Sequence, residues 1–162
     1  MDPPFRFNPE QEQLLTQLEQ YVSLPRARDP FILSGSAGTG KTSIITYFIL
    51  SRWLKGADTR FIVCTPTNKA KDVIINKYAA YTESIKDPDL KVKSMTHIEF
   101  KTVSQVLGIN YLVTAEGRSE FTKGSLSKII GKYSGPEYFD TVFVVDEASM
   151  IDMNNVQKLN AI

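Results

Sequence analysis

Gly35-Ser-Ala-Gly-Thr-Gly-Lys-Thr42 follows the apolar run Phe31-Ile-Leu-Ser34 and opens a stretch with apolar residues at Ile44, Ile45, Phe48, Ile49 and Leu50. The octapeptide fits G-x-x-x-x-G-K-[ST], and it stands in the strand-then-helix context that this pattern requires. Its glycines let successive backbone N–H groups turn toward one anion, where a Cβ would obstruct them. The helix starting near Lys41 adds its positive end, Lys41 adds a mobile charge, and the Thr42 hydroxyl suits Mg²⁺. Gly35, Ser36, Ala37, Gly38, Thr39, Gly40, Lys41, Thr42 and Ser43 are therefore expected to hold the phosphates of a nucleotide.

Outward from this loop, helical and extended patterns alternate. Asn8-Pro-Glu-Gln11 reads as a helix start, with Asn8 as cap, Pro9 in the first turn and Gln11 reaching back. Leu14, Leu15, Leu18, Tyr21 and Val22 then recur at helical spacing. Phe31–Ser34 is predicted as a first strand buried on both faces, and Arg60–Thr65 as a second. A helix is predicted from Lys69 to Tyr81, and Leu90–Met95 reads as a short third strand. Thr102–Leu107 reads as a short helix closed by Gly108, and residues 110–123 as a polar hairpin. Ser125–Ile130 is predicted helical, Gly131–Phe139 a loop, Thr141–Val145 the most apolar strand, and the residues from about Asn154 helical without a cap. Strands separated by helices imply an α/β fold with a mostly parallel sheet and right-handed crossovers, the hairpin being an insertion.

The bulk properties set bounds. The 162 residues suit one domain, and 42% hydrophobic with 23% charged residues describe an ordinary globular chain. No apolar run approaches the roughly 18–20 residues that span a bilayer, so no membrane partner is expected. One cysteine, Cys64, permits no intrachain disulfide and reads as a buried strand residue, which fits a cytoplasmic location. The net charge of +1 is unevenly spread: residues 1–60 carry +1, residues 61–132 carry +4 and residues 133–162 carry −4. The middle third is where a nucleic-acid surface is expected, a solvated lysine-bearing face being the alternative.

Val142-Phe-Val-Val-Asp-Glu-Ala-Ser149 is the second chemical signal. An apolar strand that ends in Asp146 and Glu147 delivers two carboxylates where open α/β sheets bind ligands. Asp146 is expected to share a Mg²⁺ ion with Thr42, and Glu147 to orient and deprotonate an attacking water. Lys41, Asp146 and Glu147 are thus the candidate catalytic residues, with a nucleotide and Mg²⁺ as cofactors, the nucleotide being ATP by the resemblance described next.

Together, Gly35–Thr42 and Asp146-Glu-Ala-Ser-Met150 resemble the first motor domain of superfamily 1 DNA helicases, in the RecD- and Dda-like group that moves 5′ to 3′. Thr65-Pro-Thr-Asn-Lys-Ala70 is similar to that family's T-P-T-x-x-A segment, and Phe7-Asn-Pro-Glu-Gln11 to its adenine-reading element. The resemblance spans residues 5–155 and implies a RecA-like P-loop NTPase domain over residues 1–162, acting in DNA replication, repair or recombination. It implies that Gln11 contacts the base, and that Thr65, Pro66, Thr67, Asn68 and Lys69 contact single-stranded DNA. The residues themselves also permit Gln11 as a capping residue and Thr67 as the cap of a plain strand-to-helix turn. By resemblance, Lys101–Gly108 is a later DNA segment that includes Thr102, although Ser104 stands where a histidine is usual. Nearby His97 reads as a partly exposed structural residue. The hairpin, residues 109–124, matches the place of an inserted strand-separating pin. There Phe121, with Tyr111 second, is the candidate for stacking on a base, or else packs within the hairpin.

The family also implies a second RecA-like domain that supplies arginines to the ATP site, and a glutamine-bearing sensor segment after Met150. Neither is found in these residues. Without an arginine finger, turnover falls by roughly 10³–10⁵, so weak ATP hydrolysis and no unwinding are expected of this polypeptide alone. A stand-alone, ATP-dependent single-strand-binding module with little turnover is the alternative, and the abrupt C-terminal helix favours the motor fragment over it. A P-loop kinase suits the chain less well, because it has no need of Glu147 as a base.

Overall fold

Arg60–Thr65 (β1) is the strand around which the architecture is built. Its alternation sends Phe61 and Val63 to one face and Ile62 and Cys64 to the other, and all four are at most 2% exposed. The computed structural model describes residues 6–24, 29–36, 38–113, 119–122 and 124–162. Ile98–Thr102 (β2) and Thr141–Val145 (β5) pair with β1 on either side, both parallel, in the order β2-β1-β5. The registers Thr65↔Thr102 and Cys64↔Val145 bring the C-terminal ends of all three strands to one edge.

Helices cover both faces. Pro9–Val22 (α1), Lys41–Leu54 (α2), Asn68–Thr82 (α3) and Pro88–Thr96 (α4) contribute Leu18, Ile44, Phe48, Trp53, Ile74, Tyr78 and Leu90 to the core on the Phe61/Val63 face. Val103–Val106 (α5), Leu126–Tyr133 (α6) and Met153–Leu159 (α7) pack on the Ile62/Cys64 face, through Val103, Val106, Ile129, Tyr133 and Leu159. Asn110–Val113 (β3) and Ser119–Thr122 (β4) form a separate antiparallel hairpin, as the sequence predicts. The chain is thus an α/β domain with a three-stranded parallel sheet flanked by helices. No helix among the described residues is long and apolar enough to cross a membrane.

Four expectations are corrected. Phe31–Ser34 forms no strand: Phe31 packs on Tyr21 with ring centroids 5.5 Å apart, and the Tyr21 hydroxyl donates to Asp29 O at 2.7 Å. Those contacts tie the segment to α1, while Ile32 is left 81% exposed. Leu90–Met95 is helical, because Asp87 caps the Leu90 N–H at 3.0 Å and Pro88 pre-sets the first turn of α4. The strand beside β1 is instead Ile98–Thr102, whose mixed composition hid it. Finally, α6 runs through Gly131 to Tyr133, since Ile129 and Tyr133 bury one helical face, and α7 ends at Leu159 with Asn160 as its C-cap.

Asp58, in the turn between α2 and β1, lies 3.2 Å from Lys93 Nζ and 3.2 Å from His97 Nε2. The Lys93 hydrogen bond and charge, then the His97 charge, hold its carboxyl below the usual carboxylate range. A depressed folded pKa contributes stability that is complete above the unfolded value of about 3.9 and is lost as pH falls through the folded one. Thermal midpoints of the wild type and Asp58→Asn should therefore differ near neutrality and converge in acid. A gap that stays constant as pH falls through the carboxylate range would contradict this.

Candidate nucleotide-binding site

The phosphate loop sits between a helix that closes it and a helix that begins in it. Gly40 is the N-cap of α2 with φ 83°, a left-handed conformation that glycine adopts without strain. Side chains cap the other helices: Asn8, Thr67, Asp87, Thr102, Ser125 and Asp152 each accept a first-turn N–H. No side chain caps α2 among the described residues. A helix start without a side-chain cap, with the helix dipole behind it, suits an anion.

Within the loop, Lys41 Nζ donates to Gly35 O and Ser36 O, both at 2.8 Å, and Thr39 Oγ1 donates to Ser36 O at 2.9 Å. A Cβ on Gly35 would stand 3.0 Å from Thr39 Oγ1, which is why that position tolerates no side chain without a shift. Gln11 reaches the same loop, its Nε2 donating to Thr39 O at 3.3 Å. Ser43 shares a hydrogen bond with the Tyr81 hydroxyl at 3.1 Å. Thr42 is half-buried in the first turn of α2, and Ala37 lies outside the described residues.

The acidic pair lies at the C-terminal edge of the sheet. Asp146 N donates to Cys64 O at 2.9 Å, extending the β5–β1 ladder by one residue. Asp146 Oδ1 then accepts the Glu147 N–H at 3.0 Å, and its other oxygen has no hydrogen bond among the described residues. Glu147 has φ 54°, the sole positive φ at a non-glycine among the described residues. Such strain costs roughly 1–3 kcal/mol and persists where surrounding structure imposes it, commonly at functional sites. Sequence reading gave no sign of it. Beneath the pair, Cys64 is fully buried, and burial pushes its thiol up to about 12, so it is no nucleophile.

Thr65 ends the strand adjoining Asp146, and Thr102 ends the next strand beyond it, but both side chains are buried. The Thr65 hydroxyl donates to Thr67 O at 3.0 Å, and Thr102 Oγ1 accepts Gln105 N at 3.2 Å within a capping box. Thr67, Asn68 and Lys69 are exposed at the start of α3, and Pro66 is half-buried. Thr67 Oγ1 accepts Ala70 N at 3.1 Å, the capping role the sequence allowed. His97 is a structural residue, bonded to Thr96 and paired with Asp58. The side chains of Tyr111 and Phe121 lie outside the described residues.

The structure thus gathers Gln11, Gly35, Ser36, Thr39 and Lys41 into one hydrogen-bonded group, and Thr65, Thr102, Asp146 and Glu147 along one sheet edge. No hydrogen bond or ion pair joins the two groups among the described residues. The first turn of α2 and the sheet edge each supply a hard oxygen donor, the Thr42 hydroxyl and the Asp146 carboxylate, of the kind Mg²⁺ prefers.

Comparison with known proteins agrees with the α/β fold. A family model described as an AAA domain matches residues 19–162. An uncharacterized protein, R530 of Acanthamoeba polyphaga mimivirus, is 28% identical over 155 residues. The match covers 95% of this chain and 29% of that protein, so the chain spans less than a third of its relative's length.

Relief of the strain at residue 147 has a measurable consequence. Glu147→Gly should raise unfolding stability by about 1 kcal/mol, the left-handed cost removed less the added chain entropy. Urea denaturation checks it, and an unchanged or lower midpoint would contradict the strained geometry.

Proposed function

This chain belongs to the AAA domain family of P-loop NTPases, whose members use ATP and Mg²⁺, and on that premise we propose that it is the N-terminal motor domain of an ATP-dependent 5′–3′ DNA helicase. The observation that carries this reading is the shared edge: Thr65, which opens the T-P-T segment, and Asp146, which opens the acidic pair, terminate neighbouring paired strands. A change at the carboxylates has a one-strand path to the residues offered to DNA. Bound Mg·ATP would supply a polarised γ-phosphate to an attacking water.

The chain's own residues divide the remaining work. Lys41 exchanges Gly35 O and Ser36 O for phosphate oxygens, and the uncapped amides of α2 receive the anion. Thr42 and Asp146 would hold the metal. The Glu147 carboxylate orients the water and takes its proton. β5, which carries Asp146, is paired on one edge only among the described residues, so the loop can approach it without displacing a strand. Thr67, Asn68 and Lys69, with the amides opening α3, suit the phosphates of a single strand and read no sequence. A second RecA-like domain is the partner such a motor requires.

Two measurements test the reading. In calorimetric titration, Lys41→Ala abolishes Mg·ATP binding, whereas Glu147→Gln keeps it and lowers residual turnover by about 10²–10⁴; equal affinity in wild type and Lys41→Ala would contradict the site. Single-stranded DNA should bind with salt-dependent affinity, and Lys69→Ala should make the log–log slope shallower by about 0.7. Absence of binding at low salt would leave only the ATPase half.

A further inference from the structure

Both ends of the Gln11 amide are engaged. Oε1 accepts Asn8 N at 3.0 Å, closing the capping box of α1, while Nε2 donates to Thr39 O at 3.3 Å. The second bond leaves the helix and reaches the phosphate loop. There Thr39 holds Ser36 O through its hydroxyl, and Ser36 O also receives Lys41. The same amide nitrogen would lie 3.4 Å from a Cβ at Gly40, so it sits against the left-handed turn that aims the loop into α2. Gln11 is half-buried there and fixed at its other end by the helix cap.

We propose that Gln11 is a positioning residue for the phosphate loop, its amide nitrogen holding the Thr39–Gly40 turn so that a polyphosphate meets a pre-arranged set of donors whether or not a base is attached. This deepens the reading of Gly35–Thr42 as a phosphate site and rests on it. Pre-arrangement lowers the ordering cost of binding. An amide turned toward a base must release Thr39 O, so reading a base and holding the loop are alternatives for this side chain.

The test compares wild type, Gln11→Ala and Gln11→Glu, with Mg·tripolyphosphate and Mg·ATP as probes in calorimetry. Backbone hydrogen exchange is measured on the ligand-free proteins. Glutamate retains the acceptor that closes the capping box but has no donor for Thr39 O; alanine loses both and adds no charge. Both variants should weaken tripolyphosphate by about fivefold, the value of one ordinary hydrogen bond. Both should speed exchange of the Thr39 amide, and Gln11→Glu should leave exchange in α1 unchanged. Wild-type tripolyphosphate affinity in both variants would overturn the proposal and leave base contact alone. Loss confined to Gln11→Ala would assign the effect to the helix cap, and loss confined to Gln11→Glu to its charge; either overturns it. If the wild type binds neither probe, the phosphate-site reading fails, and Thr39 exchange still decides whether Gln11 holds the turn.

Discussion

Burial of β1 on both faces is the constraint on which the rest of the structure depends. Phe61 and Val63 anchor α1 to α4 on one side, and Ile62 and Cys64 anchor α5, α6 and α7 on the other. With both faces covered, neighbouring strands can join β1 only through its two edges, and both join in parallel. Parallel pairing sends every C-terminal strand end to the same edge. Thr65, Thr102 and Asp146 therefore share one edge because β1 is central, not because they contact one another.

From that edge two kinds of local order diverge. Thr65 and Thr102 are drawn inward, their hydroxyls spent on turn and cap bonds, which stiffens the strand-to-helix junctions. Asp146 and Glu147 are turned outward, with one carboxylate oxygen used to hold the next N–H and a left-handed residue following. A junction that only ended a strand has no need of that strain. On the other layer, Trp53 Nε1 donates to Thr59 O at 2.8 Å and edge-stacks on Phe61, fixing the end of α2 far from its loop to the entry of β1.

Much of this was legible in the sequence. The capping box at Asn8 and Gln11, the helix that begins at Lys41, the burial of Cys64 and the strand delivering Asp146 all follow from local chemistry, and each stands where expected. The failures were tertiary. Phe31–Ser34 has the composition of a buried strand but finds packing on Tyr21 instead of a sheet edge. Ile98–Thr102 carries Glu99 and Lys101, which pair with each other and mask its extended character. Leu90–Met95 is apolar enough for a strand, yet Asp87 and Pro88 ahead of it specify a helix start. The Gln11–Thr39 bond joins residues 28 apart, and no local pattern announces it.

The central claim is that one metal–triphosphate is held jointly by the loop ending at Thr42 and by the pair at Asp146 and Glu147. Paramagnetic broadening of backbone amides by Mn²⁺ bound with a non-hydrolysable ATP analogue measures this directly, since the ion marks whatever lies near it. A joint site broadens the amides of residues 38–43 and of residues 146–148 at the same sub-stoichiometric Mn²⁺. Broadening of the loop with the acidic pair left sharp would contradict it.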